Sequence, residues 1–526
     1  MNLRYQFYLT FYIILLLCLV FPCLTFSQQV NESKLITVEI NDIVFQGNTV
    51  IDTEFLKYSA KKYLSEKFHD QPLTLDEMRL IADHISFIYR EKGYIVAKAY
   101  VPPQEIKDGT LKIEIAEGNI NKITVSGNNY YSDRLIKNYF KSPLKKGVIN
   151  ENNLERSLML INDLPSLSST MVLKKSDQHG AVDILLDTND KMPIDTGFGY
   201  NNFGSEIVSK NLFNTFFNIT DPYGGVNFNC NAQSGEDIND SYMFNTNLTI
   251  PVNSIGTKIG FDFLKSASVL AEDKVYLNIE GNTEIYGIYV SHPIIKKRNK
   301  SFEFKLGYTK KNIKKDLENQ NINDDDLSLI YTTFSFNNVD RFLGNNYIIL
   351  SCYYGELDTK SVEYDEDFFK IELYLSRIQK LGNYSLLLLR SSSQYTSNSI
   401  LQIEKTVIGG YYYVRGYEPS IYLGDSGYSL SAEYMFPLFG LSNFKIKEKN
   451  FGEIFKLALF IDHGGINNNN PDIDLLSSKN ITGCGLGFRM FYNDSIDLKF
   501  DLSFPLDNIE DNDDFFAYIA CQYRFN

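Results

Sequence analysis

From about Met192 to the C-terminus the chain loses every helical period, and its most regular stretch, "IDLKFDLSFPL" at 496–506, alternates without a fault. Ile496, Leu498, Phe500, Leu502, Phe504 and Leu506 share one face, and Asp497, Lys499, Asp501 and Ser503 share the other. A period-two strand that is apolar on one side and charged on the other needs an apolar medium against the first and water against the second. "SFEFKLGY" (301–308) repeats the pattern, as does "FKIELYL" around Ile371. A soluble β-sandwich alternates too, so one strand decides nothing. The balance moves toward a transmembrane antiparallel β-barrel because the polar faces are often charged and because about 330 residues pass without a helix or a second core. At roughly 10 residues per spanning strand the region suits about 16 strands, with about 14 or 18 fitting nearly as well. Polar inserts at 318–326 ("ENQNINDDD") and 466–474 ("INNNNPDID") read as exposed loops.

The other end supports a membrane destination. Arg4 precedes the apolar run "FYIILLLCLVFPCL", and small residues Thr25 and Ser27 precede Gln28, so residues 1–27 are expected to be a secretory signal peptide cleaved after Ser27. An anchor helix is the competing reading, but Pro22 interrupts a run already short for spanning. Cleavage would remove Cys18 and Cys23 and leave Cys230, Cys352, Cys484 and Cys521, whose spacing suits no metal site. The five histidines are equally scattered, with His463 beside Asp462 the one of interest. A net charge of −14 without a Lys/Arg stripe excludes a nucleic-acid partner, and the 36 Tyr and 38 Phe suit strands and a membrane boundary. No Walker-type G-x-x-x-x-G-K-[ST] occurs, and no cofactor is expected.

Between these ends lies a duplicated αβ module. "ITVEINDIVFQGN" opens on Ile36, Val38 and Ile40 in strand alternation. Thr74 and Glu77 form a capping box, Met78, Ile81, Ile85 and Ile88 make one helical stripe, and Gly93 ends the helix. "YIVAKAYV" and "LKIEIAEG" close the unit as strands. Eighty residues after Phe45-Gln46-Gly47-Asn48 comes Val125-Ser126-Gly127-Asn128 behind a second alternation, "INKITV". Leu154, Leu158 and Ile161 then mark a later helix, with "SSTMVLKK" and "AVDILLD" as closing strands. Both copies read strand, helix, helix, strand, strand.

This order resembles the tandem POTRA domains of two-partner secretion transporters, with Pro103-Gln104 and Gly109-Thr110-Leu111 matching the first-domain pattern. On the residues alone the modules could equally be a periplasmic scaffold, although an open sheet edge can accept an extended chain. The resemblance implies domains at 36–117 and 119–188, followed by a barrel over 192–526. The final segment "FFAYIACQYRFN" resembles the aromatic-ended terminal signal of outer-membrane barrels, with Asn526 as a departure. Typical members also begin with a plug helix, which cannot be placed between Gln28 and Ile36.

The stretch "YYYVRGYEPSIYLGDSGYSLSAEY" (411–434) holds two competing motifs. Gly424-Asp425-Ser426-Gly427 looks like a serine-nucleophile turn, but His463 and Asp462 are adjacent and would point to opposite faces of a strand, which is incompatible with a triad. Gly424, Asp425 and Gly427 are therefore expected to shape a turn into the strand "YSLSAEYMF". Val414-Arg415-Gly416-Tyr417 lies in a long Gly/Tyr/Pro-rich loop and resembles the V-R-G-[YF] motif of the POTRA-barrel superfamily. In that family the loop folds into the lumen and its arginine meets an aspartate in an F-x-D-x-G strand motif. Phe460, Asp462 and Gly464 supply that motif, so the resemblance pairs Arg415 with Asp462. Without the resemblance, a solvated loop arginine would be the simpler reading.

The resemblance thus implies a transporter of the haemolysin activator and filamentous haemagglutinin type in the bacterial outer membrane. It would secrete, and could activate, an unfolded TpsA-type adhesin or haemolysin, acting as a monomer among outer-membrane lipid and not as an enzyme. Two alternatives remain open, a barrel-assembly insertase and a passive porin with a periplasmic adaptor, whereas a soluble hydrolase would require activity lost in Ser426→Ala.

Overall fold

The computed structural model describes residues 36–142, 147–178, 180–270, 279–318, 320–359, 364–438, 440–470, 477–493, 495–509 and 512–525. The leader read at 1–27, the plug-helix question before Ile36 and Asn526 fall outside them.

In the first module, strand β1 (Asp42–Gln46) leads through helices α1 (Thr53–Phe68) and α2 (Leu75–Glu91) to strands β2 (Lys98–Tyr100) and β3 (Thr110–Ala116). The strand forms later than the alternation at Ile36–Ile40 suggested, and Val38 makes only an isolated bridge to Leu73. Ladder bonds explain the shift, since Asp42–Gln46 pairs parallel with Thr110–Glu114 at the centre of the sheet order β1-β3-β2. The capping box is present. The Glu77 amide donates to Thr74 Oγ1 at 3.3 Å, and the Thr74 amide donates to the Glu77 carboxylate at 2.7 Å. Those bonds hold the Glu77 carboxyl below its ordinary range. Beneath the cap Met78, Ile81 and Ile85 are buried, as are Leu111, Ile113 and Ile115 of β3.

The second module repeats the order as β4 (Asn119–Ser126), α3 (Asp133–Asn138), α4 (Glu151–Asn162), β5 (Leu167–Lys175) and β6 (Ala181–Asp190), with sheet order β4-β6-β5. Its core joins Tyr131, Ile136, Phe140, Leu154 and Ile161 from the helical side to Ile184 and Leu186 of β6. The repeated Gly-Asn does the same work in both copies. Gly47 and Gly127 take positive φ, and a Cβ there would lie 2.4 Å from the Ile115 oxygen and 2.1 Å from the Thr188 oxygen respectively. The following asparagines fold back alike: Asn48 Nδ2 donates to Ile51 O and Asn128 Nδ2 to Tyr131 O.

Asp190 closes this module. Its carboxylate accepts from the amides of Asn129, Tyr130 and Tyr131 at 2.7, 3.0 and 2.8 Å. Burial pushes its carboxyl up, but the three amide bonds outweigh burial and leave it below the usual range. A carboxyl lowered on folding stabilises the fold above its unfolded value, about pH 4, and that stability is lost as pH falls through the folded value. Asp190→Ala should therefore speed hydrogen–deuterium exchange at residues 129–131 at neutral pH by one to two orders of magnitude, corresponding to about 1–3 kcal/mol. Unchanged exchange there would show that other groups hold the turn.

Helix α4 also fastens this module to the barrel. Arg156 donates to the carbonyls of Ile255 (2.8 Å), Ile294 (3.2 Å) and Pro293, and Lys296 Nζ pairs with Asp163 at 2.7 Å.

The barrel runs through β7 (Ile194–Asn201), β8 (Leu212–Thr220), β9 (Asn227–Ser234), β10 (Ser241–Pro251), β11 (Lys258–Val269), β12 (Ile279–Lys297), β13 (Lys300–Leu317) and β14 (Gln320–Val339). It continues through β15 (Asn345–Asp358), β16 (Asp367–Lys380) and β17 (Leu386–Thr396). After a long excursion containing β18 (Thr406–Ile408) and β19 (Tyr422–Gly424), it resumes with β20 (Ser426–Phe436). A small hairpin of β21 (Lys445–Ile446) and β22 (Lys449–Asn450) precedes the short helix α5 (Phe451–Ile454). Strands β23 (Phe455–Asn467), β24 (Ser478–Tyr492), β25 (Ile496–Pro505) and β26 (Phe516–Phe525) complete it. Sixteen strands close the ring, with β26 antiparallel to β7 and Phe525 opposite Thr196. Closure removes the open edges that an unclosed sheet would present.

Alternation holds along β25, where Phe500 and Phe504 face outward while Asp501 and Ser503 are fully buried inside. Two expected loops are different. Gln320–Asp326 belongs to β14, because its ladder with β13 extends to the hairpin tip and pairs Lys314 with Asp324. Ile466 and Asn467 finish β23 and Asn468 is buried, so only the later part of that insert leaves the wall; residues 471–476 lie outside the described set. The last strand is more regular than its sequence suggested. Tyr518 points in, whereas Ile519, Tyr523 and Phe525 are exposed outside.

Candidate functional site: an in-folded loop on a lumenal ion cluster

Between β17 and β20 the chain turns back into the barrel, and Val414, Arg415 and Tyr417 become almost completely buried. The backbone does this where glycine permits it. Gly409, Gly410 and Gly416 take positive φ, and a Cβ on Gly416 would sit 2.9 Å from the Phe504 carbonyl carbon. Val414 and Tyr417 then join Ile408, Ile466 and Ile481 in an apolar plug within the ring. Tyr417 Oη donates to the Thr482 carbonyl at 2.6 Å, and Tyr411 stacks on Phe203 with ring centroids 3.6 Å apart.

Arg415 enters a cluster of charges from four neighbouring strands. Its Nε and Nη2 donate to the two oxygens of Asp462 on β23 at 2.7 and 3.0 Å, a bidentate fork. Nη1 reaches Glu433 on β20 at 2.9 Å and Asp501 on β25 at 3.2 Å. Arg489 on β24 bridges the same two carboxylates, with contacts to Asp501 at 2.5 and 3.0 Å and to Glu433 at 3.0 and 3.2 Å. The Arg415 guanidinium lies over the Phe460 ring, 3.4 Å from its centroid. Two guanidiniums thus share three carboxylates in a site shut off from solvent. Here unpaired charge is costly and every member depends on the others.

Room for this comes from β24, whose inward face carries Gly483, Gly485 and Gly487. A Cβ at Gly483 would lie 1.9 Å from the Arg415 carbonyl oxygen, and one at Gly487 would lie 2.0 Å from Asp501 Oδ1. Gly464 likewise clears Val414, whose Cγ2 a Cβ would meet at 2.9 Å.

The structure therefore brings together Val414, Arg415, Gly416, Tyr417, Phe460, Asp462 and Gly464. Sequence reasoning missed Glu433 and Arg489 and left Asp501 as one more polar-face residue. The alternate glycines of "GCGLG" were the available sign that something approaches β24 closely.

The GDSG segment is not the expected glycine turn. Neither Gly424 nor Gly427 has positive φ, and the chain stays extended across it with a bend at Asp425. The Asp425 side chain is the reason, for it accepts from the amides of Ile400 (3.0 Å) and Asn469 (2.9 Å) and pairs with Lys405 at 3.4 Å. Next to it Glu404 is held by Lys370 at 2.9 Å and by Lys311, so both ends of the loop are tied to the wall by buried charges.

Ser426 Oγ donates to the Thr396 carbonyl, while His463 lies outside the barrel against Thr482 and Tyr428. In the β20–β23 register Ser426 faces Asn467 and Leu430 faces His463, which separates hydroxyl and imidazole by about 13 Å along the strand. In the first module Gln104 braces the connection into β3. Its amide donates to Lys112 O at 2.7 Å and its oxygen accepts from Lys112 N at 2.9 Å. Gly109 takes positive φ against Asn41, and Pro103 is exposed.

Two αβ modules ahead of a closed sixteen-strand barrel, with a loop fastened inside its lumen, define an outer-membrane transporter of POTRA-barrel build. Residues 38–118 match the model of the POTRA domain, ShlB-type, and residues 180–490 match that of the haemolysin secretion/activation protein ShlB/FhaC/HecB. The second match spans more than half of the chain, and the chain belongs to that family. Heme/hemopexin transporter protein HuxB of Haemophilus influenzae is 23% identical over 511 residues, covering 90% of this chain and 84% of the relative. Among solved structures, CdiB from Escherichia coli has the same fold with a TM-score of 0.77 and 15% identity, over 96% of this chain and 94% of that one. BamA from Haemophilus ducreyi lacking POTRA domains 1-3 shares the fold more loosely, with a TM-score of 0.52 and 14% identity over 93% and 100% of the two chains. The protein is a two-partner secretion transporter of the outer membrane. Its POTRA modules stand in the periplasm, and it exports a partner exoprotein.

Proposed function

We propose that the periplasmic modules capture the partner in extended, unfolded form, that it threads the barrel lumen, and that the loop between β17 and β20 is the gate it must pass. The observation that carries this reading is the buried fork from Arg415 to Asp462, which ties the loop tip to the wall it would have to leave. Val414, Gly416, Tyr417, Phe460 and Gly464 give the arginine its place, and Asp425 serves as an anchor of the loop base. Pro103, Gln104 and Gly109 shape the connection ahead of β3 in the capture module. The working parts are a leader at 1–27, modules at 36–117 and 119–188, and a barrel over 192–526. Exposed Ile461, Leu486 and Phe500 meet lipid, and a ring without open edges suits a monomer. Folding of the partner outside supplies the drive, and the chain performs no catalysis.

Deleting the gene should remove from the medium the exoprotein encoded by the neighbouring reading frame, while other outer-membrane barrels assemble normally. Continued secretion by the deletion strain would end this assignment, and a general barrel-assembly defect would favour the insertase.

A further inference from the structure

One arc of the lumen is built differently from the rest. Every inward position of β9 is a carboxamide, in the order Asn227, Asn229, Asn231 and Gln233, while Phe228 on the other face is exposed. The neighbouring strands continue the pattern in part, with Phe216 of β8 opposite Asn231 and Met243 of β10 opposite Gln233. Asn229 faces Asn218 on β8 and Asn247 on β10, and Asn231 faces Asn245. The row through Asn229 is internally satisfied. Asn227 Nδ2 donates to Asn218 at 2.7 Å, Asn229 Nδ2 donates to Asn227 at 2.6 Å, and Asn247 is tied to Asp262 at 2.7 Å. Asn231, Gln233 and Asn245 make no side-chain hydrogen bond among the described residues. Asn231 and Gln233 border a cavity of about 300 Å3 that Tyr411 and Tyr412 of the in-folded loop face from the other side.

We infer that this wall is the track along which the partner slides, a surface that recognises extended, uncharged polar polypeptide through its main-chain amides. A carboxamide is both donor and acceptor, as a peptide group is, so it can pair with any sequence. Inward positions on one strand recur about every 6.8 Å, the same interval at which an extended chain presents successive groups to one side. Neutral groups also avoid the ion pairs by which a charged wall would hold a passing chain. Apart from Arg415 the charged cluster is built on β20, β23, β24 and β25. No inward position of β8–β10 is charged, which leaves this arc as a neutral lane, with Asp497 and Lys499 bordering the same cavity. The assignment deepens the threading proposed above and presupposes it.

The test uses the purified full-length chain carrying a benzophenone amino acid at 231, at 245, or at Ser376 on the far wall, with a synthetic 20-residue peptide of Asn, Ser, Thr and Gly. Cross-linking at 231 and 245 should exceed that at 376 at least five-fold, and a Lys/Glu-rich peptide of equal length should lose the difference. In cells, Asn231→Leu with Asn245→Leu should slow partner release several-fold while the barrel stays heat-modifiable. Equal labelling at the three positions, or none at 231 and 245, overturns the track. Such a failure alongside partner secretion that still depends on this gene leaves the transporter assignment standing, whereas secretion independent of the gene removes that assignment instead.

Discussion

Arg415→Ala should reduce partner secretion at least ten-fold while the barrel still migrates as a heat-modifiable species. The arithmetic of the cluster sets the expectation. With the guanidinium gone, Asp462 loses its fork and its ion pair while Glu433 and Asp501 keep Arg489, a cost of about 3–5 kcal/mol for buried charge left unpaired. The strands bear little of that cost, because their ladders run on both sides of every charged position. The loop bears most of it, since Arg415 is the loop's contribution to the cluster. Asp462→Ala should be milder, for Arg415 keeps Glu433 at 2.9 Å and Asp501 at 3.2 Å. Arg415→Lys should not rescue, because one ammonium cannot make the fork and also reach Glu433. Secretion assays with heat-modifiability gels check all three, and wild-type secretion by both alanine variants would remove the lock from the mechanism.

What the sequence made legible follows from what each pattern measures. Alternation reports a strand between two media, so β25 and the barrel class could be read directly, whereas the Arg415–Asp462 pairing came only through the family resemblance that its motifs carry. Alternation says nothing about who meets whom across the ring, and Arg489 is invisible as a partner because its contacts lie on β20 and β25, 56 and 12 residues away in sequence. The GDSG segment misled for a related reason. Its glycines looked like turn residues, but they are small so that Ile466 and Thr406 can pack against them, and the aspartate between them holds the loop base. The periplasmic repeat was legible because Gly127 and Gly47 do local work that every copy must do again. The strand at Asp42 was not, because β3 decides where β1 pairs.

A second variant separates the position of the loop from its charge. Gly483→Ala should leave the pore open, with sustained conductance in planar bilayers and sensitivity of cells to antibiotics too large for ordinary porins. The methyl would stand 1.9 Å from the Arg415 carbonyl oxygen, a distance no contact tolerates. Something must move, and the ladders decide what. Gly483 is paired with Asp462 on one side and Pro505 on the other within a closed ring, whereas the loop tip is held by side-chain bonds and a few backbone contacts. The loop should therefore lift while Arg489, Glu433, Asp462 and Asp501 all remain. Conductance like that of the wild type, in a barrel shown by gel to be folded, would mean that the loop does not seal the lumen. If Gly483→Ala opens the pore and also blocks secretion, then displacement of the loop is enough to disable it. If Gly483→Ala opens the pore and secretion survives, the cluster contributes more than a latch, and the defect of Arg415→Ala must come from carboxylates left bare in the path of the partner.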